Sequence, residues 1–430
     1  MILIIYSNIN GLLGWEDFAL KGFIKFQDYG LILALTLISF SVFRKEETLE
    51  PDYLKITKSR ALLFAVNLHW FFYIGLFIFS ILAMNNLTWP IKMGRTFFYG
   101  IIFYLIYKEL KPNPIENFEK IITALQYFTI FFGICYISYN LLGLDIYPKG
   151  AYEEFEVAST AAPVARNFSG FPTFAYYFIF LFTQRLLTGS GKWFVNITGL
   201  SILLFCVPLM LTRGTLILVA VMLLALVVYR IPSSKTFVRL IVLTILIGVG
   251  LLIAPYVAEG HYQALMNRLQ EFGTNGISGA KNLSVRSREF EQIVSNVIDF
   301  SPFIGFGFTV PAAFGFVTTQ IHGGSADNGF SNLIGVSGFV GLAIFMSVIA
   351  SWMILNIKLQ ALKAEQYSKV NFIFIFFMLG TFMNGSYMSY MHQFALFLAY
   401  DLFAFAYFKN KQVALPSVAP IIFTQTFPVK

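Results

Sequence analysis

Long apolar runs follow one another along almost the whole chain and limit its possible folds more than any other feature. A transmembrane helix needs about 20 mostly apolar residues, and most of these runs approach or exceed that length. The sequence therefore predicts an all-α polytopic integral membrane protein with roughly 11–12 transmembrane helices. The runs cover residues 28–43, 60–83, 96–107, 119–143, 172–187, 193–211, 214–230, 238–254, 329–356, 370–388 and 391–408.

The composition excludes a soluble protein of this length. Hydrophobic residues make up 57% of the 430 residues and charged residues only 12%, which is too little charge to cover a soluble surface. Residues 1–25 form either a further span or an interfacial helix. They lack a basic n-region and a small-residue cleavage site, so we do not interpret them as a cleaved signal peptide. We expect a single polytopic membrane domain over residues 1–430.

The basic residues indicate the orientation. If the helices alternate in direction, most of the 30 Lys and Arg residues fall on one side, which the positive-inside rule assigns to the cytoplasm. Residues 255–328 then form a large periplasmic loop, and residues 409–430 form a cytoplasmic tail. This topology explains the net charge of +8, and no basic patch with interleaved aromatics indicates nucleic acid. Cys135 and Cys206 lie inside apolar runs and offer neither a disulfide framework nor a metal site.

The loop contains an amphipathic segment, residues 286–300, which we expect to be a helix. Its apolar residues recur at helical spacing. Asn282 and Ser284 are candidate N-caps just before it. The members of the apolar face are Phe290, Ile293, Val294, Val297 and Ile298.

This boundary places Arg286 in the first turn, where the helix dipole disfavours a cation. A cation placed against its local electrostatics hints at an anionic partner. The alternative is that Arg286 and Arg288 pair with Glu289 or Glu291 nearby. Beyond the helix, the segment from Pro302 to Phe308 carries Gly305 and Gly307, which turn the chain.

Two further arginines lie on the same predicted outer side. Arg213 sits in a tight hairpin between two apolar runs, at or below the membrane interface, where arginine is costly unless it snorkels or pairs with an anion. Arg166 lies in the outer segment 144–171. The alternative for Arg166 is an ordinary solvated loop residue.

A polar group precedes the apolar run that begins near residue 329. It contains His322, Asp327 and Asn328. Polar side chains at the mouth of a glycine-bearing helix can approach a ligand closely. The alternatives are that Asp327 or Asn328 caps the helix and that His322 is a solvated loop histidine.

Taken in order, these motifs resemble those of the O-antigen polymerases (Wzy-type) and O-antigen ligases of Gram-negative bacteria. The similarity covers about residues 196–345. It is carried by Arg213-Gly214, Ser284-x-Arg286 with Phe290, Pro302…Gly305-x-Gly307, Asp327-Asn328-x-Phe330 and Gly338…Gly341, with a fainter element at Arg166-x-x-x-Gly170.

The resemblance implies a metal-independent, cofactor-free glycosyltransferase of the bacterial inner membrane. Its donor and acceptor would both be undecaprenyl-diphosphate-linked oligosaccharides, in a lipid bilayer, with a chain-length regulator as a further partner. Arg213 and Arg286 match family arginines that hold the donor diphosphate, and Arg288 and Arg166 are further candidates. Guanidinium groups bind phosphate oxygens bidentately and stay charged.

The catalytic residues are less clear, because ligases usually carry a histidine directly before the asparagine of the last motif. This chain has Asp327 there, and His322 lies nearby. The aspartate favours a polymerase and leaves either Asp327 or His322 as the general base. Asn328, Gly305 and Gly307 are expected to position the substrate.

We therefore expect a polymerase of O-antigen or a related surface polysaccharide. One alternative is the ligase that transfers finished polymer to lipid A core. A second, from a different class, is a transporter or flippase of lipid-linked oligosaccharides, which should place ionisable residues near mid-membrane and show internal repeats.

Overall fold

A computed structural model describes the helical parts of the chain. The described residues are 26–43, 60–84, 99–144, 155–156, 165–166, 171–210, 213–229, 281–309, 314–316, 329–362, 365–382 and 391–414, with isolated positions between 90 and 98 and between 248 and 270.

The described residues confirm the all-α fold class. A 3-10 turn, Tyr99–Ile102, leads directly into α3, and two-residue strands β1 (Phe155–Glu156) and β2 (Ala165–Arg166) pair antiparallel. The helices are α1 (Phe26–Phe43), α2 (Arg60–Met84), α3 (Phe103–Leu110), α4 (Pro114–Leu142), α5 (Ala175–Thr188), α6 (Trp193–Leu209), α7 (Arg213–Tyr229), α8 (Lys281–Phe300), α9 (Gly329–Ala361), α10 (Glu365–Phe382) and α11 (Met391–Ala414).

Most of the predicted runs coincide with these helices to within a few residues. The largest shift is at α3, which begins at Phe103 and not at residue 96. Helices α4 and α10 each begin five residues before their predicted runs, at Pro114 and Glu365. The predicted span 238–254 lies outside the described residues, apart from Gly248.

Four of the described helices are long and apolar enough to cross a membrane. They are Leu62–Met84, Pro114–Leu142, Gly329–Ala361 and Met391–Lys409. On α2, large apolar side chains such as Phe71 and Leu82 are each 76% exposed. An exposed apolar face suits lipid rather than water, as expected of an integral membrane protein.

Helix α5 lies at the centre of the bundle. Apart from Arg185, every residue from Ala175 to Leu187 is buried. Tyr177 stacks on Phe397 of α11 with ring centroids 3.9 Å apart. A helix that is apolar on all sides has to be surrounded by other helices, which explains why the outer helices pack around α5.

The ends of neighbouring helices meet as alternating directions require. The hydroxyl of Tyr176, at the start of α5, donates to Sδ of Met210, just after α6, at 3.0 Å. The amide of Gln393, at the start of α11, donates to the carbonyl oxygen of Thr173, just before α5. The starts of α5 and α11 and the end of α6 therefore lie on one face of the bundle.

A buried carboxylate joins α9, α10 and α11 deep inside the bundle. Asp401 is fully buried. Its Oδ2 accepts hydrogen bonds from Nε1 of Trp352 at 2.6 Å and from Nδ2 of Asn356 at 2.9 Å, and its Oδ1 accepts one from Nδ2 of Asn371 at 2.7 Å. The hydroxyl of Tyr177 donates to Oδ1 of Asn371 at 3.1 Å, which adds α5. We call these residues the Asp401 junction.

We expect Asp401→Asn to destabilise the membrane domain. The substitution replaces one carboxylate oxygen by an NH2 group, so at least one of the donors around residue 401 would face another donor and lose its acceptor. Each buried polar group left unpaired costs about 1–3 kcal/mol. The thermal unfolding midpoint of the purified protein in detergent should fall clearly. Asp299→Asn makes the same chemical change at an exposed carboxylate of α8 and should leave the midpoint unchanged; equal midpoints for both variants would contradict a structural junction.

Candidate functional site

Helix α9 is broken at Gly338. This residue has φ 60° and ψ −167°, a backbone conformation that essentially only glycine adopts. Residues 339–361 are long enough to span a bilayer by themselves, since about 20 residues suffice. Residues 329–337 therefore form a separate outer half of the helix.

The break frees backbone groups, and the segment after α8 pairs with them. The N–H groups of Phe306 and Gly307 donate to the carbonyl oxygens of Gly335 and Val336 at 2.8 and 2.9 Å. In the other direction, the N–H of Phe339 donates to the carbonyl oxygen of Pro302 at 2.9 Å. Val340 donates in the same way to Phe303 at 3.3 Å. We call this arrangement of residues 301–309 and the broken helix the interlock.

The interlock has no room for side chains at its glycines. Gly305 has φ +63°, and a Cβ there would lie 2.6 Å from the carbonyl oxygen of Gly335 and 2.7 Å from the nitrogen of Gly338. A Cβ on Gly338 would overlap the carbonyl oxygen of Phe303. Gly307 has φ +68°, and its Cβ would lie 2.5 Å from Oγ of Ser80. Gly305 thus lets the loop backbone approach the backbone of α9, and Gly307 lets the loop approach the side chain of Ser80.

Helix α2 supports the interlock from the other side. Oγ of Ser80 accepts a hydrogen bond from the N–H of Phe308 at 2.7 Å and donates to the carbonyl oxygen of Leu76 at 2.6 Å. The hydroxyl of Tyr73 donates to Oγ of Ser337 at 3.3 Å. The ring of Phe308 is fully buried, so the loop is fixed to the membrane domain.

Helix α8 packs along the outer half of α9, and the two helices run parallel. Ile293, Val297, Phe306 and Ile334 form one buried apolar cluster. Cγ2 of Ile293 lies 3.5 Å from the Cβ position of Gly335. Ile293 lies beside Gly335, and farther along both segments Pro302 accepts a hydrogen bond from Phe339. Both helices therefore run in the same direction.

The helical register separates the two arginines of α8. At 100° per residue, Arg286 falls within about 20° of the buried residues Ile293 and Val297. Arg288 falls about 200° away from Arg286, and its side chain is exposed. The backbone of α8 therefore places Arg286 on the face that packs against α9 and Arg288 on the opposite face.

The observed start of α8 corrects two expectations. The helix begins at Lys281, five residues before the predicted boundary, so Asn282 and Ser284 lie inside it and are not its N-caps. Arg286 is consequently in the second turn, where the helix dipole acts more weakly. The predicted boundary was wrong because the polar residue types that cap helices also occur inside helices.

The predicted pairing of Arg288 with a neighbouring acid is absent from the described side chains. Oγ of Ser287 donates to Oε1 of Glu291 at 3.3 Å. No ion pair of Arg288 with Glu289 or Glu291 occurs among the described residues. Arg288 is thus an exposed cation on the outer side of α8.

The other predicted residues are placed by their helices or lie outside the described residues. Arg213 is the first residue of α7, and Leu218, farther along α7, packs against the Cβ position of Gly380 near the end of α10. Arg166 belongs to β2, shortly before α5. His322, Asp327 and Asn328 lie outside the described residues, and Asn328 directly precedes the first residue of α9.

The interlock and the start of α7 lie on the same face of the bundle. The ring of Phe308 packs against Phe98, with centroids 5.9 Å apart. Farther along the same segment, the Cβ position of Gly100 lies 3.6 Å from the carbonyl oxygen of Met391, at the start of α11. Since α11 starts beside α5 and the end of α6, this face also carries the start of α7. The start of α7, and with it the backbone of Arg213, therefore lies on the same face as α8, which we call the α8 face. In the sequence, Arg166 of β2 lies nine residues before the start of α5.

The described residues contain no group of three or more His, Cys, Asp or Glu side chains that could hold a metal ion. The described side chains of α8 include the guanidinium group of Arg288 and the carboxylates of Glu289, Glu291 and Asp299. The guanidinium group, like the backbone N–H groups at the start of a helix, can donate to an anionic ligand.

A comparison with known protein families matches the part of the chain that contains the interlock and α8. A family model described as O-antigen ligase matches residues 198–346, which extend from within α6 to within α9. The match includes all the predicted site residues except Arg166. No curated protein matches the chain. The match supports a function within the O-antigen ligase and polymerase superfamily, whose members are membrane glycosyltransferase-like enzymes.

Substitution of Gly305 should test the interlock. Gly305→Ala combines a left-handed backbone with backbone contacts below 3 Å, so it should lower the thermal unfolding midpoint strongly. Gly143→Ala is the matched control: φ is +61° there too, but no atom lies within 4 Å of the added Cβ. That variant should cost only the strain of about 1–2 kcal/mol. Equal losses in both variants would contradict the close packing of the interlock.

Proposed function

We propose that this protein polymerises undecaprenyl-diphosphate-linked oligosaccharide repeat units into O-antigen or a related surface polysaccharide. The observation that carries the proposal is the fixed pairing of α8 with the outer half of α9. It lies within the segment that matches the O-antigen ligase family, and it brings Arg286 to the side of α8 that faces the start of α9.

The proposed reaction transfers the growing chain to a new unit. A sugar hydroxyl of the acceptor unit attacks the anomeric carbon of the donor sugar, and a new glycosidic bond forms. The bond between that carbon and the phosphate oxygen breaks, and undecaprenyl diphosphate leaves with the bonding electrons. The hydroxyl proton passes to a general base.

Arg286 and Arg213 are proposed to hold the donor diphosphate. Each guanidinium group would stabilise the negative charge that develops on the leaving diphosphate, without a metal ion or a cofactor. Arg288, exposed on the far side of α8, and Arg166, near the start of α5, would attract the same anion from a greater distance.

Asp327 and His322 are the proposed candidates for the general base. Neutral histidine has a suitable pKa without adjustment, whereas a carboxylate would need a raised pKa. Asn328, directly ahead of α9, would orient the acceptor. Gly305 and Gly307 contribute indirectly, because they fix the loop that holds α8 against α9.

The ligase reaction is the second candidate, and the family description itself supports it. A ligase would use the same diphosphate-linked donor but would transfer finished polymer to lipid A core. The residue before Asn328 is Asp327 and not the histidine usual in ligases, which favours the polymerase.

The proposal includes a location and partners. The chain would lie in the bacterial inner membrane as a multi-pass protein, with residues 255–328 in the periplasm and residues 409–430 in the cytoplasm. Lipid-linked oligosaccharide serves as donor and acceptor, and a chain-length regulator would set the polymer length.

We expect Arg286→Ala to abolish the polymer. Removing one charge that stabilises a leaving anion typically costs about 100-fold or more in rate. Arg288→Ala, two residues away on the opposite face, should keep polymer formation within about tenfold of wild type. The measurement is a gel of surface polysaccharide from a deletion strain that carries each variant on a plasmid, with protein amounts checked by immunoblot.

The same gel separates the candidate functions. Core bearing a single repeat unit in the deletion strain, with the ladder restored by wild type, supports the polymerase. Bare core with long polymer left on carrier lipid would replace it with the ligase. A normal ladder with Arg286→Ala would contradict the diphosphate-binding role.

Two further variants should identify the base. Asp327→Asn and His322→Gln each remove a proton acceptor with little change in size, and we expect the variant that lacks the base to lose the polymer at least about 100-fold. Binding of undecaprenyl diphosphate should remain in that variant. Full polymer formation in both variants would exclude both residues.

A further inference from the structure

We propose that the start of α9 is a phosphate-binding site, formed by the hydroxyl group of Ser331 and the backbone N–H groups of the first helical turn. This inference rests on the proposed function and extends it. The site would receive a phosphate group of the lipid diphosphate between α9 and Arg286 of α8.

The first observation is a buried hydroxyl group with no partner. Ser331 is 0% exposed, and its Oγ makes no hydrogen bond in the described part of the chain. Ser337, on the same half-helix, is equally buried but donates to the carbonyl oxygen of Leu333 at 2.6 Å. A buried hydroxyl group without a partner costs free energy, and a bound acceptor would remove that cost.

The second observation is the face on which Ser331 lies. Residues three and four apart share one face of a helix. Ser331 precedes Ile334 by three residues and Gly335 by four, and both of these contact the side of α8 that carries Ile293. Ser331 is therefore central to the α8-facing side of α9, one turn nearer the start of the helix.

The third observation is the position of Arg286 across from it. Arg286 precedes Ile293 by seven residues, which corresponds to about 10 Å along the helix axis. Because α8 and α9 are parallel and Ile293 is level with Gly335, the backbone at Arg286 is level with the start of α9. Both Arg286 and Ser331 thus occupy the facing sides of the two helices, beyond the last apolar contact.

The groups at the start of α9 favour the binding of an anion. The first N–H groups of a helix lack intrahelical acceptors, and the helix dipole is positive there. Residues 329–337 begin at the start of α9, and the interlock holds this half-helix beside α8, so these donors lie at a fixed place. Glu289 lies on the same flank of α8; its side chain has an interaction partner, although its Oε2 is buried without a hydrogen bond in the described part of the chain. Backbone amides, a hydroxyl group and a guanidinium group together match a phosphate group.

The test is direct binding and does not depend on catalysis. The full chain is placed in nanodiscs of zwitterionic lipid, and binding of labelled undecaprenyl diphosphate is measured. Ser331→Ala should weaken binding about tenfold, and Ser331→Thr, which keeps the hydroxyl group, should bind within about threefold of wild type. Ser347→Ala is the matched control on the same helix, because Ser347 is exposed and its Oγ donates only to the carbonyl oxygen of Ala343; it should bind like wild type.

A variant that introduces a negative charge at Ser331 distinguishes loss of binding from loss of folding. Ser331→Asp places a carboxylate in the first turn of a helix, where the dipole favours it. Ser331 is fully buried, so the carboxylate loses its hydration, and an anion-binding site would compensate for that loss. The thermal unfolding midpoint should therefore stay close to that of wild type while binding of undecaprenyl diphosphate is lost. A strongly lowered midpoint would contradict an anion-binding site. Wild-type binding by both Ser331→Ala and Ser331→Asp would overturn the site.

The outcomes also separate this site from the proposed function. If Arg286→Ala loses binding but both Ser331 variants keep it, the proposed function stands and the Ser331 site is wrong. If wild type binds no undecaprenyl diphosphate, the proposed function fails first. Displacement of the label by equal concentrations of phosphatidylglycerol would assign the site to a phospholipid headgroup and overturn its role in substrate binding.

Discussion

The break in α9 at Gly338 is the constraint on which the outer part of the structure depends. A helix inside a membrane protein cannot leave backbone N–H and carbonyl groups unpaired, because no water is present to replace the lost hydrogen bonds. The break is therefore possible only where another segment supplies partners. Residues 301–309 do so through backbone pairs with Gly335, Val336, Phe339 and Val340. The requirement for complete pairing fixes the loop, and the loop in turn fixes the end of α8.

Fixing α8 gives the α8 face its chemical asymmetry. The apolar contact around Ile293 sets the rotation of the helix, so the backbone position of Arg286 falls on the face that packs against α9 and that of Arg288 on the opposite face. The outer half of α9 begins at Gly329, where the positive end of the helix dipole and the unpartnered hydroxyl group of Ser331 lie together. A lipid diphosphate needs a place where its charge is neutralised at the membrane interface, and this pair of helices offers donors from both sides.

Deeper in the bundle, the Asp401 junction performs a different task. Its three donors come from α9 and α10 and meet a carboxylate of α11. Such a set of hydrogen bonds fixes the packing of helices whose other contacts are apolar and less directional. A transporter would use an intramembrane carboxylate that can exchange its partners. Asp401 is fully buried and accepts three hydrogen bonds, which is better explained by a role in helix packing. This interpretation and the family match both favour an enzyme over a transporter.

The sequence by itself determined the membrane-spanning helices, because length and apolarity are local properties that decide whether a segment enters a bilayer. It also determined the inward face of α8, since the spacing of Ile293 and Val297 is visible without any partner. The start of α8 was predicted at Arg286, with Asn282 or Ser284 as the N-cap, but the helix begins at Lys281. The prediction was wrong because the same polar residue types occur both as caps and inside helices. Only the tertiary structure decided which glycine of the α9 run breaks the helix. Gly335, Gly338 and Gly341 are equivalent in the sequence, and the choice of Gly338 depends on the close approach of Phe303 and Gly305 from a distant segment. The pairing of Ser331 with the Arg286 face, and of Asp401 with Trp352, Asn356 and Asn371, likewise exists only once the helices are packed.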